Sequence, residues 1–439
     1  MKTKEKEVNM LFEKINITDE NFELQKDMYV RVEEGKIISI TKQRPEDYAG
    51  ECYDGEGKLL MPGLINSHSH LPMTLTRGYG DGLTLQSWLF DKIFPFEDQM
   101  TDEDAYIGTM LGIAEMLASG TTSVSDMYMF GDAICRAVKE SGIKCNFSRC
   151  ISSGSEIPLE ELKGFQEEMA VKEKYDGANN GRIKVDYSIH AEYTSSEYTI
   201  GKFADYVNAR SARVSTHISE TRTEHEECKA RHNGLTPVQY FEKMGLFRTG
   251  KAFGAHCVWI EPEDREIMAK NGVMIAHCPS SNMKLGSGLA DVKAMLEAGI
   301  TVGIGTDGAG SNNNLDMFEE MHLAALTASV KNYDAAALSA KDVLKMATRN
   351  GALMQDRTDC GLIKEGFCAD LIVVDLEKPH LSPKNDIISS LVYSAGGQDV
   401  VLTMVDGEVL YRDGKFTTID IDKILERTEE SVCGIKSRL

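Results

Sequence analysis

Apolar and polar positions along this chain change period twice. From about residue 8 to about residue 58 they alternate, as in Met28–Ile40, where Glu34-Gly35 supplies a hairpin turn between two strands. The same texture returns near the C-terminus. Ala369–Asp375 reads as one strand, and Val400–Val405, the turn Asp406-Gly407 and Glu408–Tyr411 read as a second hairpin. Between these ends, Asp104–Ser119, Glu197–Arg210, Pro262–Lys270, Leu289–Glu297 and Leu315–Val330 carry apolar residues at helical spacing. They alternate with eight short apolar runs: Leu64–His70, Ser123–Tyr128, Lys144–Cys150, Lys184–His190, Arg213–Glu220, Ala252–His256, Val273–His277 and Val302–Asp307. Eight strands interleaved with helices predict a (β/α)8 TIM barrel. The two β-rich ends predict a small β-sandwich built jointly. The expected division is residues 1–60 for the N-terminal part of the sandwich, 61–360 for the barrel, and 361–439 for the rest of the sandwich with a terminal helix. No repeat, low-complexity stretch or long linker interrupts this plan.

The strand ends carry the chemistry. His70, Asp126, Arg149, His190, His217 with Glu220, His256, His277 and Asp307 each close a strand, and counting His68 beside His70, six of the ten histidines lie at these ends. Core packing gives no reason for that placement, whereas the C-terminal rim of a barrel is where its active sites lie. His68 and His70 are separated by one residue, so on a strand both rings share a face and converge on one point. A transition-metal ion is the usual occupant between two neutral imidazoles. With His217 from the fifth strand and Asp307 from the eighth, they make a catalytic metal set if a water position stays open. The glycines of the Gly303–Gly308 stretch around Asp307 are expected to let backbone approach a ligand closely. Glu220, three residues past His217, is placed to move protons between the activated water and a leaving nitrogen; the competing reading is a charge placed at a helix N-terminus. His256 reads as an imidazole that orients or polarises the attacking oxygen. His277 is open between a core and a functional role, and His225, His232, His322 and His380, in helical or surface segments, are assigned none.

Composition narrows the partners. Apolar residues at 42% and charged residues at 27% are ordinary for a globular protein. A net charge of −21 argues against nucleic acid and anionic membrane surfaces and for a small neutral or mixed-charge ligand. The charged start, Met1–Glu7, is no signal peptide, and no run approaches a membrane span. Ten cysteines without a Cys-x-x-Cys pair read as reduced thiols of a cytoplasmic protein, with Cys257 and Cys278 as small core residues.

Five ordered stretches resemble the amidohydrolase superfamily: Met61–His70, His217–Glu220, Gly254–Cys257, His277–Leu285 and Gly305–Gly308. Within it the chain is most similar to the mononuclear aminohydrolases, and among these to the 5′-methylthioadenosine/S-adenosylhomocysteine deaminases, over about residues 8–415. Binuclear relatives carry a carboxylated lysine at the end of the fourth strand, where this chain has His190. The resemblance therefore implies one metal per subunit, Zn2+, with Fe2+ admitted by the same ligands. It also implies that Glu97 binds ribose hydroxyls, that Trp88 walls the substrate pocket unless it is only a loop-packing aromatic, that His190 and Glu220 contact substrate, and that Arg149 reaches the 5′ tail. The family's usual His-x-Pro-Tyr is here His190-Ala191-Glu192-Tyr193, which leaves local backbone and pocket charge open. Arg149 lacks a second basic residue nearby, so 5′-methylthioadenosine, adenosine and 5′-deoxyadenosine stand beside S-adenosylhomocysteine as substrates. The implied reaction is hydrolytic deamination to the inosine analogue and ammonia. Its rivals are a guanine or cytosine deaminase, a chlorohydrolase, and a non-catalytic metal-binding protein on the same barrel. Relatives are often dimers or tetramers, so the resemblance allows a homo-oligomer.

Overall fold

The structure, a computed structural model, describes residues 9–439; the N-terminal stretch Met1–Glu7 lies outside the described residues. Two nine-stranded sheets organise it. One is the barrel. Its parallel strands run in sequence order at Leu64–Ser69, Thr121–Tyr128, Lys144–Ile151, Ile183–Val185 with Tyr187–Ile189, Val214–Ile218, Ala252–His256, Met274–His277 and Val302–Ile304. The fourth position is split at Asp186, whose carboxylate turns aside to accept from Asn146 Nδ2 at 2.7 Å and to pair with Arg213 at 3.0 Å. These strands read as unbroken apolar runs because helices cover them outside and side chains fill them inside. Helices flank them at Asp102–Ala118, Glu197–Asn208, Pro262–Asn271, Val292–Glu297 and Met317–Asn332. The helix Arg222–Arg231, not singled out by periodicity, buries only Glu224, His225 and Cys228, so it has no apolar stripe to read.

The barrel closes at a seam between its last and first strands, and a side chain does the work of a ladder there. Asn66 donates from Nδ2 to Thr306 Oγ1 at 2.6 Å and accepts from Thr306 N at 3.1 Å, while Asp307 N donates to His68 O at 3.0 Å. The glycines beside Asp307 serve this seam and not a ligand. A Cβ on Gly305 would stand 2.8 Å from His68 N, and one on Gly303 would stand 2.4 Å from Ser67 Oγ. Strand eight presses on strand one because both positions lack a side chain.

The second sheet is built from both chain ends. Lys58–Pro62 and Leu371–Asp375 pair antiparallel at its centre. Met10–Thr18, Leu24–Glu33, Lys36–Thr41 and Glu51–Asp54 extend it on one side; Val400–Val405, Glu408–Arg412 and Lys415–Phe416 extend it on the other. The expected hairpin turns at Glu34-Gly35 and Asp406-Gly407 are present. The sandwich is one rolled sheet: Ile37 N reaches Phe367 O and Ala369 N reaches Gly35 O, enclosing Phe12, Val30, Leu60, Leu371 and Leu402. Barrel and sheet are joined by a buried lysine. Lys144, at the start of barrel strand three, lies 2.6 Å from Asp370 and 2.6 Å from Asp406. Burial alone would push its ammonium down, but these carboxylates hold it above the ordinary lysine value. The terminal helix runs Ile421–Arg438. No helix among the described residues is long and apolar enough to cross a membrane.

Candidate active site

At the C-terminal rim, four backbone positions take left-handed φ values that non-glycine residues rarely adopt: Ser219 at 48°, His256 at 68°, Cys257 at 47° and Asp307 at 60°. Such conformations persist only where surrounding bonds hold them, and they gather at functional sites. Each lies where a strand ends and a side chain turns inward.

His68, His70 and His217 bring one ring nitrogen each within 4.8 Å of one another, and the ring nitrogens of His68 and His256 lie as close to each other and to a carboxylate oxygen of Asp307. Backbone carbonyls fix the rings. His70 Nδ1 donates to Met127 O at 2.5 Å, and His217 Nδ1 donates to His190 O at 2.8 Å. With Nδ1 carrying the proton, each Nε2 presents its lone pair to the centre, as metal ligation requires. Asp307 Oδ1 lies 3.2 Å from His70 Nε2 and 3.5 Å from His68 Nε2. Asp307 Oδ2 accepts from Ser281 at 2.6 Å and from Ser311 at 2.8 Å. His68 Nε2 is buried with no hydrogen-bond partner. Burial lowers His68 to about 4 and drives His217 well below the usual histidine value, so both are neutral at pH 7. Burial pulls His70 down too, but Asp307 beside it raises that ring to about 9, the mark of a position that welcomes positive charge. Three imidazoles and a carboxylate around one point, with an orphaned nitrogen aimed inward, fit a transition-metal ion.

Glu220 and His256 stand beside this centre. Glu220 Oε2 lies 3.8 Å from His256 Nε2. Burial raises the Glu220 carboxyl above its ordinary value, the direction a group exchanging protons near neutrality needs. Its backbone N–H donates to Glu224 Oε2 at 2.7 Å, and Ser219 N donates to Glu224 Oε1 at 2.9 Å. Glu224, not Glu220, therefore serves the helix start, and the Thr221-x-x-Glu224 spacing was the available signal for it. His256 Nδ1 donates to Asn282 Oδ1 at 2.8 Å, turning Nε2 toward Glu220. The motif around Asn282 thus braces two site residues, Ser281 holding Asp307 and Asn282 holding His256. His277 lies buried at its strand end with neither ring nitrogen partnered, neutral because burial lowers it to about 3.

These groups open into a cavity of about 480 Å3 lined by His70, His217, Glu220, His256 and Asp307, by His190, whose ring lies 4.9 Å from that of His217, and by Arg149, Trp88 and Glu97. His68 sits beneath it and does not line it. Trp88 ends the short helix Leu85–Trp88 and is 5% exposed, so it belongs to a helix and not a loop. Glu97 is 7% exposed and accepts from Tyr128 Oη at 2.5 Å through Oε1, which leaves Oε2 for a ligand. Burial pushes Glu97 up to about 7 against the pull of that hydrogen bond. Tyr128, a cavity residue at the end of strand two, was missed by sequence reasoning. His190, held by Thr194 at 3.2 Å, is lowered to about 4 by burial and is neutral. Arg149 lines the cavity but its guanidinium is engaged, with Glu167 at 2.9 Å and the Cys150 carbonyl at 2.5 Å. Glu192 is turned out of the cavity, its carboxylate 2.6 Å from both Arg231 and His232, so it adds no charge to the pocket. His225 and His232 are structural and not merely superficial: His225 is buried between Ser219 and Glu261, and His232 stacks on Tyr240 at 3.7 Å.

The amidohydrolase family pattern matches residues 59–410. A 5-methylthioadenosine/S-adenosylhomocysteine deaminase of Dictyoglomus thermophilum is 41% identical over 394 residues, 90% of this chain and 91% of that protein. A 5′-deoxyadenosine deaminase of Methanosarcina mazei is 41% identical over 415 residues, 93% of this chain and 94% of that protein. An adenosine deaminase of Xanthomonas campestris, solved with bound zinc, superposes with a TM-score of 0.91 at 29% identity, covering 98% of this chain and 99% of that one.

Proposed function

The chain belongs to the amidohydrolase family, and from that premise we propose that it hydrolytically deaminates adenosine derivatives, releasing ammonia and the inosine analogue. It is a hydrolase acting on carbon–nitrogen bonds, like the deaminases it resembles. The observation that carries the substrate class is the pair of functions lining one cavity. A pair suited to proton transfer, Glu220 and His256, borders the imidazole cluster, and a buried carboxylate with one free oxygen, Glu97, lines the same cavity.

His68, His70, His217 and Asp307 would hold one Zn2+, with Fe2+ admitted by the same donors. When bound, the ion supplies Lewis acidity that brings the pKa of a water molecule toward 7. Glu220 accepts a proton from the attacking water and delivers one to the purine ring nitrogen. His256, fixed by Asn282, holds the incoming oxygen over C6. Asp307, steadied by two serine hydroxyls, accepts the second proton. The proton taken by Asp307 passes to the C6 amino group, the C6–N bond breaks, ammonia leaves, and the water oxygen becomes the ring carbonyl. Glu97 Oε2 takes ribose hydroxyls, and Trp88 with neutral His190 closes the walls around the nucleoside.

The engaged state of Arg149 ranks the tails. A homocysteine carboxylate would meet a guanidinium whose charge is already partly balanced by Glu167 at Nε, whereas a methylthio, hydroxyl or hydrogen substituent asks nothing of it. Uncharged 5′ groups are therefore favoured. A cytosolic location is part of this proposal, supported by ten cysteines all present as free thiols. So is self-association, supported by an exposed apolar line, Leu326, Val330 and Tyr333, along one helix and its C-cap.

The test is ammonia release with the purine absorbance change, using zinc-loaded protein and a panel of 5′-methylthioadenosine, 5′-deoxyadenosine, adenosine, S-adenosylhomocysteine, guanine and cytosine. Activity confined to the nucleosides, weakest with the homocysteine conjugate, is expected. Activity on the free bases alone would overturn the assignment of Glu97 and the nucleoside reading with it.

A further inference from the structure

On the opposite side of the barrel–sheet junction, Cys360 and Cys368 meet. Their sulfurs and an Asp359 carboxylate oxygen all lie within 4.8 Å of one another. The segment between them is pinned at its base by Cys368 N donating to Asp359 O at 2.8 Å. Lys36, at the start of a sheet strand, donates from Nζ to Cys368 Sγ at 3.0 Å and to Asp359 Oδ2 at 2.5 Å. Lys144 Nζ, fixed between Asp370 and Asp406, stands 3.7 Å from Cys360 Sγ. The pair borders a groove of about 1070 Å3, with Cys360 buried and Cys368 partly open to it. The ammonium of Lys36 already occupies the cationic place among these donors, which disfavours a metal ion there and favours a reactive thiol.

We propose that Cys368 and Cys360 are a thiol pair that undergoes disulfide exchange with low-molecular-weight disulfides, Cys368 attacking and Cys360 resolving. The Cys368 thiolate, stabilised by Lys36, attacks one sulfur of the reagent RS–SR. That S–S bond breaks, a Cys368–SR bond forms, and RS− departs. Cys360 then gives up its proton and attacks Cys368 Sγ, expelling a second RS−, which takes the proton. Two protein thiols are oxidised and one reagent disulfide is reduced to two thiols. Asymmetry within the pair supports the assignment. Cys360 is buried with its Sγ 3.9 Å from Asp359 Oδ1, whereas the partly open Cys368 Sγ meets both Lys36 Nζ and, at 3.3 Å, Asp359 Oδ2; interaction between the two sulfurs lowers Cys368 below the usual thiol value and raises Cys360 above it. Cys360 thereby stays protonated until its partner has been modified. Such pairs in reducing compartments are transient and redox-sensing, not structural.

The experiment is incubation of the full-length protein with oxidised glutathione, alkylation of remaining thiols, and peptide mapping by mass spectrometry. In wild-type protein an internal Cys360–Cys368 disulfide is expected. Cys368 should be consumed about tenfold faster than the exposed Cys433 of the C-terminal helix, the order of difference that thiolate stabilisation supplies. Cys360→Ser is expected to arrest the reaction as a glutathione adduct on Cys368, and Lys36→Met to slow it. The proposal is overturned if Cys433 reacts as fast as Cys368 and no internal disulfide forms, or if Cys360→Ser accumulates no more adduct than wild type. The wild-type mapping stands by itself should a variant fail to fold.

Discussion

Tyr128→Phe isolates the bond that keeps Glu97 usable. Glu97 is buried, and its carboxyl is already pushed up to about 7, with the Tyr128 hydroxyl at 2.5 Å holding it down. A hydrogen bond to a charged acceptor contributes about 1.5–3 kcal/mol, and one pKa unit corresponds to about 1.4 kcal/mol. Deleting the hydroxyl therefore moves Glu97 up by about one to two units, toward about 8 to 9. The sign follows from which form works. Ribose hydroxyls need the carboxylate, so recognition is present above the Glu97 pKa and lost as pH falls through it. At pH 7 the ionised fraction drops from about one half to roughly 1–10%. The assay is kcat/KM for a nucleoside substrate between about pH 6 and about pH 9. The acidic limb should move up by one to two units, KM at pH 7 should rise about five- to fiftyfold, and alkaline buffer should restore most of the loss. An acidic limb that stays in place with unchanged KM would refute both the role of Tyr128 and that of Glu97.

Glu97→Gln should remove nucleoside activity and yet stabilise the protein. A carboxyl raised from 4.5 to about 7 costs the folded state stability as pH climbs past its unfolded value, so the variant should gain about 1–3 kcal/mol at pH 8 and little at pH 4, read by denaturant melts. Asn282→Ala strips His256 of its Nδ1 acceptor and should lower kcat about 10–100-fold with KM little changed; an equal loss in binding would make Asn282 a general packing residue. Glu220→Gln should lower kcat about 100-fold or more while substrate still binds in equilibrium dialysis. Chelation should abolish turnover and lower the melting temperature, with both recovered on adding zinc; turnover surviving in rigorously metal-free protein would dismiss the metal reading.

Legibility in the sequence followed burial. Barrel strands sealed on both faces must be apolar for their whole length, so their positions and the side chains breaking the run at each end could be read directly. The rolled sheet announced itself by alternation and by turns at Glu34-Gly35 and Asp406-Gly407. Bracing residues were harder because they act through space. Nothing near Tyr128 says that its hydroxyl meets Glu97, thirty-one residues earlier in the chain. Asn66 looks like an ordinary polar residue in a strand until Thr306 arrives beside it. The glycines around Asp307 carried a true signal of close approach, but the partner was the backbone of His68 and not a ligand. Glu192 departs from its relatives' pattern, and only the positions of Arg231 and His232 reveal that its charge is spent away from the cavity.

The seam between strands one and eight also sets a schedule for folding. His68 and His70 leave the ribosome early, yet Asp307 and the Thr306 that clasps Asn66 follow 240 residues later. The centre of the second sheet waits longer still, since Lys58–Pro62 pairs on one side with Leu371–Asp375. No part of the chain ending before Asp307 can hold the four-donor set together. Contacts so distant in sequence close slowly, which leaves apolar strand edges uncovered during synthesis. A chain ending before about residue 300 would then carry the three imidazoles of His68, His70 and His217 without the Asp307 carboxylate, and a metal-rich cell would meet the ligands of strand one well before the barrel closes.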